Sequence, residues 1–270
     1  MRREARVALD AARDAAALIL RVYARPFDVE YKAKDDPVTV ADRDANSLLC
    51  DRLAREFPGV PIVAEESDPA SYASFAGAGA AWFVDPLDGT REFVAKNGEF
   101  AVMVGLAEAG RATIGVVVAP VWGRAVVGVV GEGAWEVAAD GTVTPVRVTD
   151  RATLAGASIL VSRSRSPAGV ADLLAKLGAA PPVPHGSSGL KGLLVATGAH
   201  DVYLHPGSAG MRWDACATDA LVRAAGGECT TADGEPFDYA SGELANARGL
   251  VASNGKVHAR LIEALRASHE

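Results

Sequence analysis

Apolar residues open the chain at helical spacing. Ala8, Ala11, Ala12, Ala15, Leu18, Ile19 and Val22 fall on one face, with Arg and Asp between them. This predicts an amphipathic helix that Pro26 ends. A second helix is predicted over 42–57, burying Ala45, Leu48, Leu49 and Leu53, and Pro58-Gly59 stops it. Residues 60–64 then read as a short strand delivering Glu65 and Glu66, and 82–84 as another delivering Asp85.

From Phe100 the pattern changes. Residues 100–107, 112–119, 125–130 and 134–137 are Val-rich runs separated by Gly110, Gly123 and the pair Gly131/Gly133. Short glycine-punctuated connections predict an antiparallel meander, because parallel neighbours need long crossovers. After about Asp150, strands at 157–161 and 202–205 alternate with helices at 188–197, 214–225 and 256–267, which predicts a layered α/β half. The expected organisation is therefore 1–150, an α+β half, and 151–270, a mixed α/β half.

Composition narrows the functional classes. The 270 residues are 49% hydrophobic and carry a net charge of −7, with no basic block, which argues against a nucleic-acid partner. Cys50, Cys216 and Cys229 lack metal-ligand spacing and read as reduced thiols. The five histidines form no paired-ligand motif, which argues against zinc. Charges at Arg13, Asp14 and Arg21 interrupt any signal-peptide core, and no apolar run approaches a membrane span; a cytoplasmic protein is expected.

Candidate chemistry lies in clustered carboxylates. Asp85-Pro86-Leu87-Asp88-Gly89-Thr90 follows an apolar strand, and Pro86 is expected to force the chain out of the ladder. Two carboxylates brought close ionise together only if a cation neutralises them, and all-oxygen ligation suits Mg²⁺. Taken singly, this hexapeptide also reads as a surface turn, Glu65-Glu66 as a solvated pair and Asp214 as a helix N-cap. Together they supply carboxylates from three distant segments, all at element ends.

Glu65-Glu66-Ser67, then Asp85 to Thr90, then Trp213-Asp214 resemble the inositol monophosphatase-like superfamily of lithium-sensitive phosphatases, in order and over nearly the whole chain. The resemblance implies an α/β (α+β) fold, a layered αβαβα sandwich, and Mg²⁺ as two or three ions. Glu65, Asp85, Asp88 and Asp214 would bind metal by carboxylate and Leu87 by its carbonyl. Gly89 and Thr90 would hold phosphate at a helix N-terminus. Asp42 would help Thr90 and Glu65 orient the attacking water, a role compatible with its being a helix N-cap.

Within the superfamily, Asp88 to Phe93 followed by Asn97-Gly98-Glu99-Phe100 is similar to the 3′(2′),5′-bisphosphate nucleotidase branch, as are Val161 to Ser164 and Gly186-Ser187-Ser188 with Lys191. The implied reaction is metal-assisted removal of the 3′-phosphate of adenosine 3′,5′-bisphosphate or its sulfated form, a step tied to sulfate assimilation. Ser188 and Lys191 would face the nucleotide, beside the plainer reading of a helix start with an exposed lysine. Arg165 stands where the branch often has histidine, and Cys216 replaces the first of two alanines. An inositol- or sugar-phosphate phosphatase of the same fold is the nearest rival, and a non-catalytic binding protein the rival from another class. Many relatives are dimers, so the resemblance allows a homodimer.

Overall fold

A computed structural model describes residues 1–33, 36–164 and 169–268. Arg165 lies outside the described residues. Helices α1 (Arg3–Tyr23) and α2 (Val40–Glu56) flank a hairpin of β1 (Glu30–Ala33) and β2 (Asp36–Val38). There follow β3 (Ile62–Ala64), β4 (Ala80–Asp88) and the short α3 (Thr90–Val94). The expected meander comes next, as β5 (Ala101–Glu108), β6 (Arg111–Ala119), β7 (Arg124–Val129), β8 (Gly133–Val137) and β9 (Val143–Val146). These strands form a seven-stranded sheet in chain order, antiparallel except where β3 runs parallel to β4.

The second half comprises β10 (Ile159–Ser162), α4 (Val170–Lys176), β11 (Val183–His185), α5 (Ser188–Ala196), β12 (Val202–His205) and α6 (Arg212–Ala224). It ends with β13 (Glu228–Thr230), β14 (Leu250–Ser253) and α7 (His258–Ala267). Its five-stranded sheet has the order β11-β10-β12-β14-β13 and mixes parallel and antiparallel pairs. Among the described residues no helix is long and apolar enough to cross a membrane.

Three apolar cores define five layers. Ala8, Ala15, Ile19 and Leu49 of α1 and α2 pack on one face of the large sheet, against Val102, Val104 and Val116. Met103 and Val117 point to the opposite face, toward Leu190, Ala217 and Leu221 of α5 and α6, which also meet Leu160 and Ala252 of the small sheet. Leu174, Leu261 and Leu265 of α4 and α7 cover the remaining face. Because β5 and β6 are buried on both faces, they read as continuous apolar runs rather than alternating ones. The result is the αβαβα sandwich.

Helix α6 lies so close to the large sheet that only glycine fits beneath it. Gly105, Gly115 and Gly128 pair across β5, β6 and β7 to form a lane without side chains. A Cβ at Gly105 would stand 2.7 Å from Cys216 Sγ, and one at Gly128 2.8 Å from Leu221 Cα. At Gly115 it would overlap the Ala217 carbonyl oxygen. The departure at Cys216 is thus accommodated by the absence of a side chain at Gly105.

Candidate active site

The site begins where β3 and β4 end side by side. Glu65 N–H donates to Val84 O at 3.1 Å, so Glu65 emerges beside Asp85. Strand β4 pairs with β5 as far as Asp85–Met103, slips, and pairs again at Asp88–Ala101. Pro86 does leave the ladder, but only locally: Pro86 and Leu87 lie unpaired in a bulge, and β4 resumes pairing at Asp88. In a regular strand, positions three apart face opposite ways. The bulge cancels that alternation and lets both aspartates face one point.

Asp214 arrives from the other half of the chain, on the first turn of α6. It is the third helical residue, not the N-cap, and its Oδ2 accepts the Met211 N–H at 2.6 Å. Gly210, at φ +75°, gives that carboxylate its space, because a Cβ there would stand 2.5 Å from Asp214 Oδ2. Oxygens of Asp85, Asp88 and Asp214 lie within 4.8 Å of one another. Two further bonds hold Asp88 Oδ2, from Ser187 Oγ at 2.5 Å and Gly189 N–H at 2.7 Å.

The electrostatics of this cluster call for a cation. Burial, then the charges of Glu65, Asp88 and Asp214, push the Asp85 carboxyl well above the usual carboxylate range. Burial also pushes Glu65 up to about 7, against the pull of Lys32. Converging carboxylates supply only hard oxygen donors, and Leu87, whose carbonyl oxygen lies 3.2 Å from Thr90 Oγ1, borders the same space. This set fits a divalent ion that prefers oxygen. Glu65 lines the cavity but turns to Lys32, whose Nζ reaches Glu65 at 3.1 Å and Glu66 at 2.6 Å. Lys32 had no sequence signal, because it approaches from the β1–β2 hairpin only in the folded chain.

Thr90 and Asp42 meet across 48 positions of sequence, with Thr90 Oγ1 donating to Asp42 Oδ1 at 2.9 Å. The other Asp42 oxygen accepts the backbone N–H and the hydroxyl of Thr39, each at 2.7 Å. Asp42 is therefore the third helical residue of α2, closing a capping box whose N-cap is Thr39, which corrects the expectation that Asp42 itself caps α2. Burial raises the Asp42 carboxyl, and the hydrogen bonds from Thr39 and Thr90 oppose that rise.

The cavity measures about 540 Å³, and Arg91, Glu92, Ser162, Ser164, Tyr203 and His205 line it beside the expected residues. It has room for a small metabolite of nucleotide size. Ser188 borders it, but its hydroxyl donates to the Asp214 carbonyl at 2.9 Å. Lys191 also borders it, yet is only 3% exposed and donates to the carbonyls of His185, Gly186 and Ser187. Burial lowers its ammonium to about 8, against the raising influence of Asp88, Glu92 and Glu99. The expected nucleotide-facing lysine thus turns inward, because an ammonium three residues into a buried helix finds carbonyls closer than solvent. Ser187 and Gly189 hold Asp88, a role the sequence showed only as part of the Gly186-Ser187-Ser188 run.

Residues 1–270 match the inositol monophosphatase family. The chain is 37% identical over 231 residues to 3′(2′),5′-bisphosphate nucleotidase CysQ of Escherichia coli strain K12, covering 84% of this chain and 90% of the relative. The Salmonella typhimurium CysQ is 36% identical over the same shares. Among solved structures, the extragenic suppressor protein suhB from Bartonella henselae superimposes with a TM-score of 0.81 at 25% identity, covering 97% of each chain. CysQ from Bacteroides thetaiotaomicron superimposes with a TM-score of 0.76 at 29% identity, covering 93% of this chain and 97% of that one. A match over the full length, joined to aspartates that converge from β4 and α6, makes this chain a member of the inositol monophosphatase family.

Proposed function

We propose that this chain is a magnesium-dependent phosphatase that removes the 3′-phosphate of adenosine 3′,5′-bisphosphate. The observation that carries the chemistry is the convergence of Asp85, Asp88 and Asp214 in one cavity with the Asp42–Thr90 pair. The substrate rests on the relatives named bisphosphate nucleotidase, which share 36–37% of their residues with it over 84% of the chain.

In this reading Asp85, Asp88, Asp214, Glu65 and the Leu87 carbonyl hold two or three Mg²⁺ ions. Bound Mg²⁺ would supply an acidified water and charge stabilisation at the phosphoryl and leaving oxygens. Thr90 and Asp42 orient that water. A hydroxyl has one proton; Thr90 Oγ1 lies 2.9 Å from Asp42 Oδ1 and 3.2 Å from the Leu87 carbonyl oxygen, and the shorter bond to the carboxylate takes the proton. Its lone pairs are then left to accept a proton from water, which turns a water oxygen toward phosphorus. Asp42 can hold that arrangement because Thr39 occupies its second oxygen. Gly89, with φ +98°, turns the chain into α3 and presents the phosphate to the first turn of that helix.

The test is phosphate release from adenosine 3′,5′-bisphosphate, its sulfated relative, inositol 1-phosphate and fructose 1,6-bisphosphate, with Mg²⁺ and with a chelator. The bisphosphorylated nucleotide should lead in kcat/KM by about tenfold or more, a difference of roughly 1.4 kcal/mol in transition-state binding. Chelation should abolish all turnover. A preference for inositol 1-phosphate would overturn the substrate, and full turnover in chelator would overturn the mechanism.

A further inference from the structure

Glu99 belongs to the Asn97 to Phe100 segment between α3 and β5, and the chemistry above leaves it without a role. Its carboxylate joins segments far apart in sequence. Oε2 accepts the Gly186 N–H at 2.6 Å, and Oε1 accepts Arg163 Nη2 at 2.5 Å, from a residue just beyond β10. Its backbone carbonyl abuts Gly89, where a Cβ would stand 2.8 Å away.

Gly186 opens the turn between β11 and α5, and that turn is strained. Ser187 has φ +56° and ψ 126°, a conformation that non-glycine residues adopt only when their surroundings over-determine it. The surroundings do so here. Glu99 holds the Gly186 N–H, while Lys191 donates to the carbonyls of His185, Gly186 and Ser187. The next groups along the chain, Ser187 Oγ and Gly189 N–H, are the two donors on Asp88 Oδ2.

We infer that Glu99 is a positioning residue for the metal centre: it clamps the Gly186 amide, with Lys191 clamping the carbonyl side, so that Ser187 and Gly189 present Asp88 in its ligating orientation. The inference rests on the reading of Asp88 as a metal ligand. Groups that orient a ligating carboxylate set metal affinity as well as shape, since a ligand free to rotate must be ordered when the ion binds.

Glu99→Gln and Glu99→Met separate this role from plain stabilisation. Both lose the charge that faces Arg163, but only glutamine keeps an acceptor for the Gly186 N–H. Mn²⁺ serves as the probe, its binding followed by electron paramagnetic resonance alongside thermal melting of the metal-free protein. Glu99→Met should raise the Mn²⁺ dissociation constant by about tenfold or more, and Glu99→Gln by no more than about twofold. Lys191→Met, which removes the other half of the clamp, should weaken Mn²⁺ as Glu99→Met does, and it decides the matter should Glu99→Met not fold. Equal Mn²⁺ affinity in the Gln and Met variants, or a lowered melting temperature with unchanged affinity in Glu99→Met or Lys191→Met, would overturn the inference. Failure of the underlying reading looks different, as wild-type and Asp214→Asn proteins would then bind Mn²⁺ alike.

Discussion

Thr90 donates its single hydroxyl proton to Asp42, so removing that hydroxyl leaves the attacking water without its acceptor. Thr90→Ala should lower kcat on every substrate by about 10²–10⁴, the usual worth of positioned proton-transfer groups, with KM little changed. Steady-state kinetics on two unrelated phosphate esters checks this, and a loss confined to one ester or to KM would contradict it. Asp88→Asn and Asp214→Asn each remove a charge from a self-repelling cluster. Activity should fall by orders of magnitude while the melting temperature of the metal-free protein holds or rises; near-wild-type rates would place the site elsewhere. The clustered acidic residues were legible in sequence because they fall in short motifs near element boundaries. What Lys32 and Lys191 do was not, because a long side chain takes its direction from partners that only folding brings near.

Helix α6 joins the two sheets and carries Asp214, and its seat is the glycine lane of β5, β6 and β7. Gly115→Ala would drive a methyl into the Ala217 carbonyl, and backbone cannot yield as a flexible side chain can. The expected cost is about 3 kcal/mol, at the upper end for overpacking. Gly79→Ala, with nothing within 4 Å of the added atom, should stay within about 1 kcal/mol of wild type. Chemical denaturation of both variants checks the pair, and equal effects would mean α6 is less tightly seated than the lane indicates. The meander was readable from its Val-rich runs and glycine connections. The lane was not, since Gly105, Gly115 and Gly128 align only once register is set. Strands as short as β11 and β13, three residues each, offer too few positions for a period to show. The Pro86 bulge escaped for the same reason: whether a proline ends a strand or bulges it depends on re-pairing beyond it, here at Asp88–Ala101.

At the scale of the whole molecule, the carboxylate cluster links folding to pH and metal. Glu65 rises from an ordinary 4.5 to about 7 through burial, and burial with neighbouring charge raises Asp85 as well. Across that window the folded, metal-free protein holds more protons than the unfolded chain, so its stability falls as pH rises. Metal-free protein should therefore lose melting temperature from about pH 5 to about pH 7.5, and Mg²⁺ should restore it most at the upper end, where ionised carboxylates bind best. A pH-independent difference between the two forms would count against the cluster as the metal site. By itself the sequence determined the helices with a clear apolar face, the meander, the acidic residues that gather in one cavity and the family, because these depend on local periodicity and on motifs of residue type. Tertiary structure alone decided that Asp85 and Asp88 face one point, that Asp42 meets Thr90, that Lys32 reaches Glu65 and Glu66, and that Lys191 is buried at the cavity wall. The Asp42–Thr90 and Lys32–Glu65 contacts join segments 48 and 33 residues apart, and the bulge at Pro86 depends on how β4 re-pairs with β5, so no local pattern encodes them.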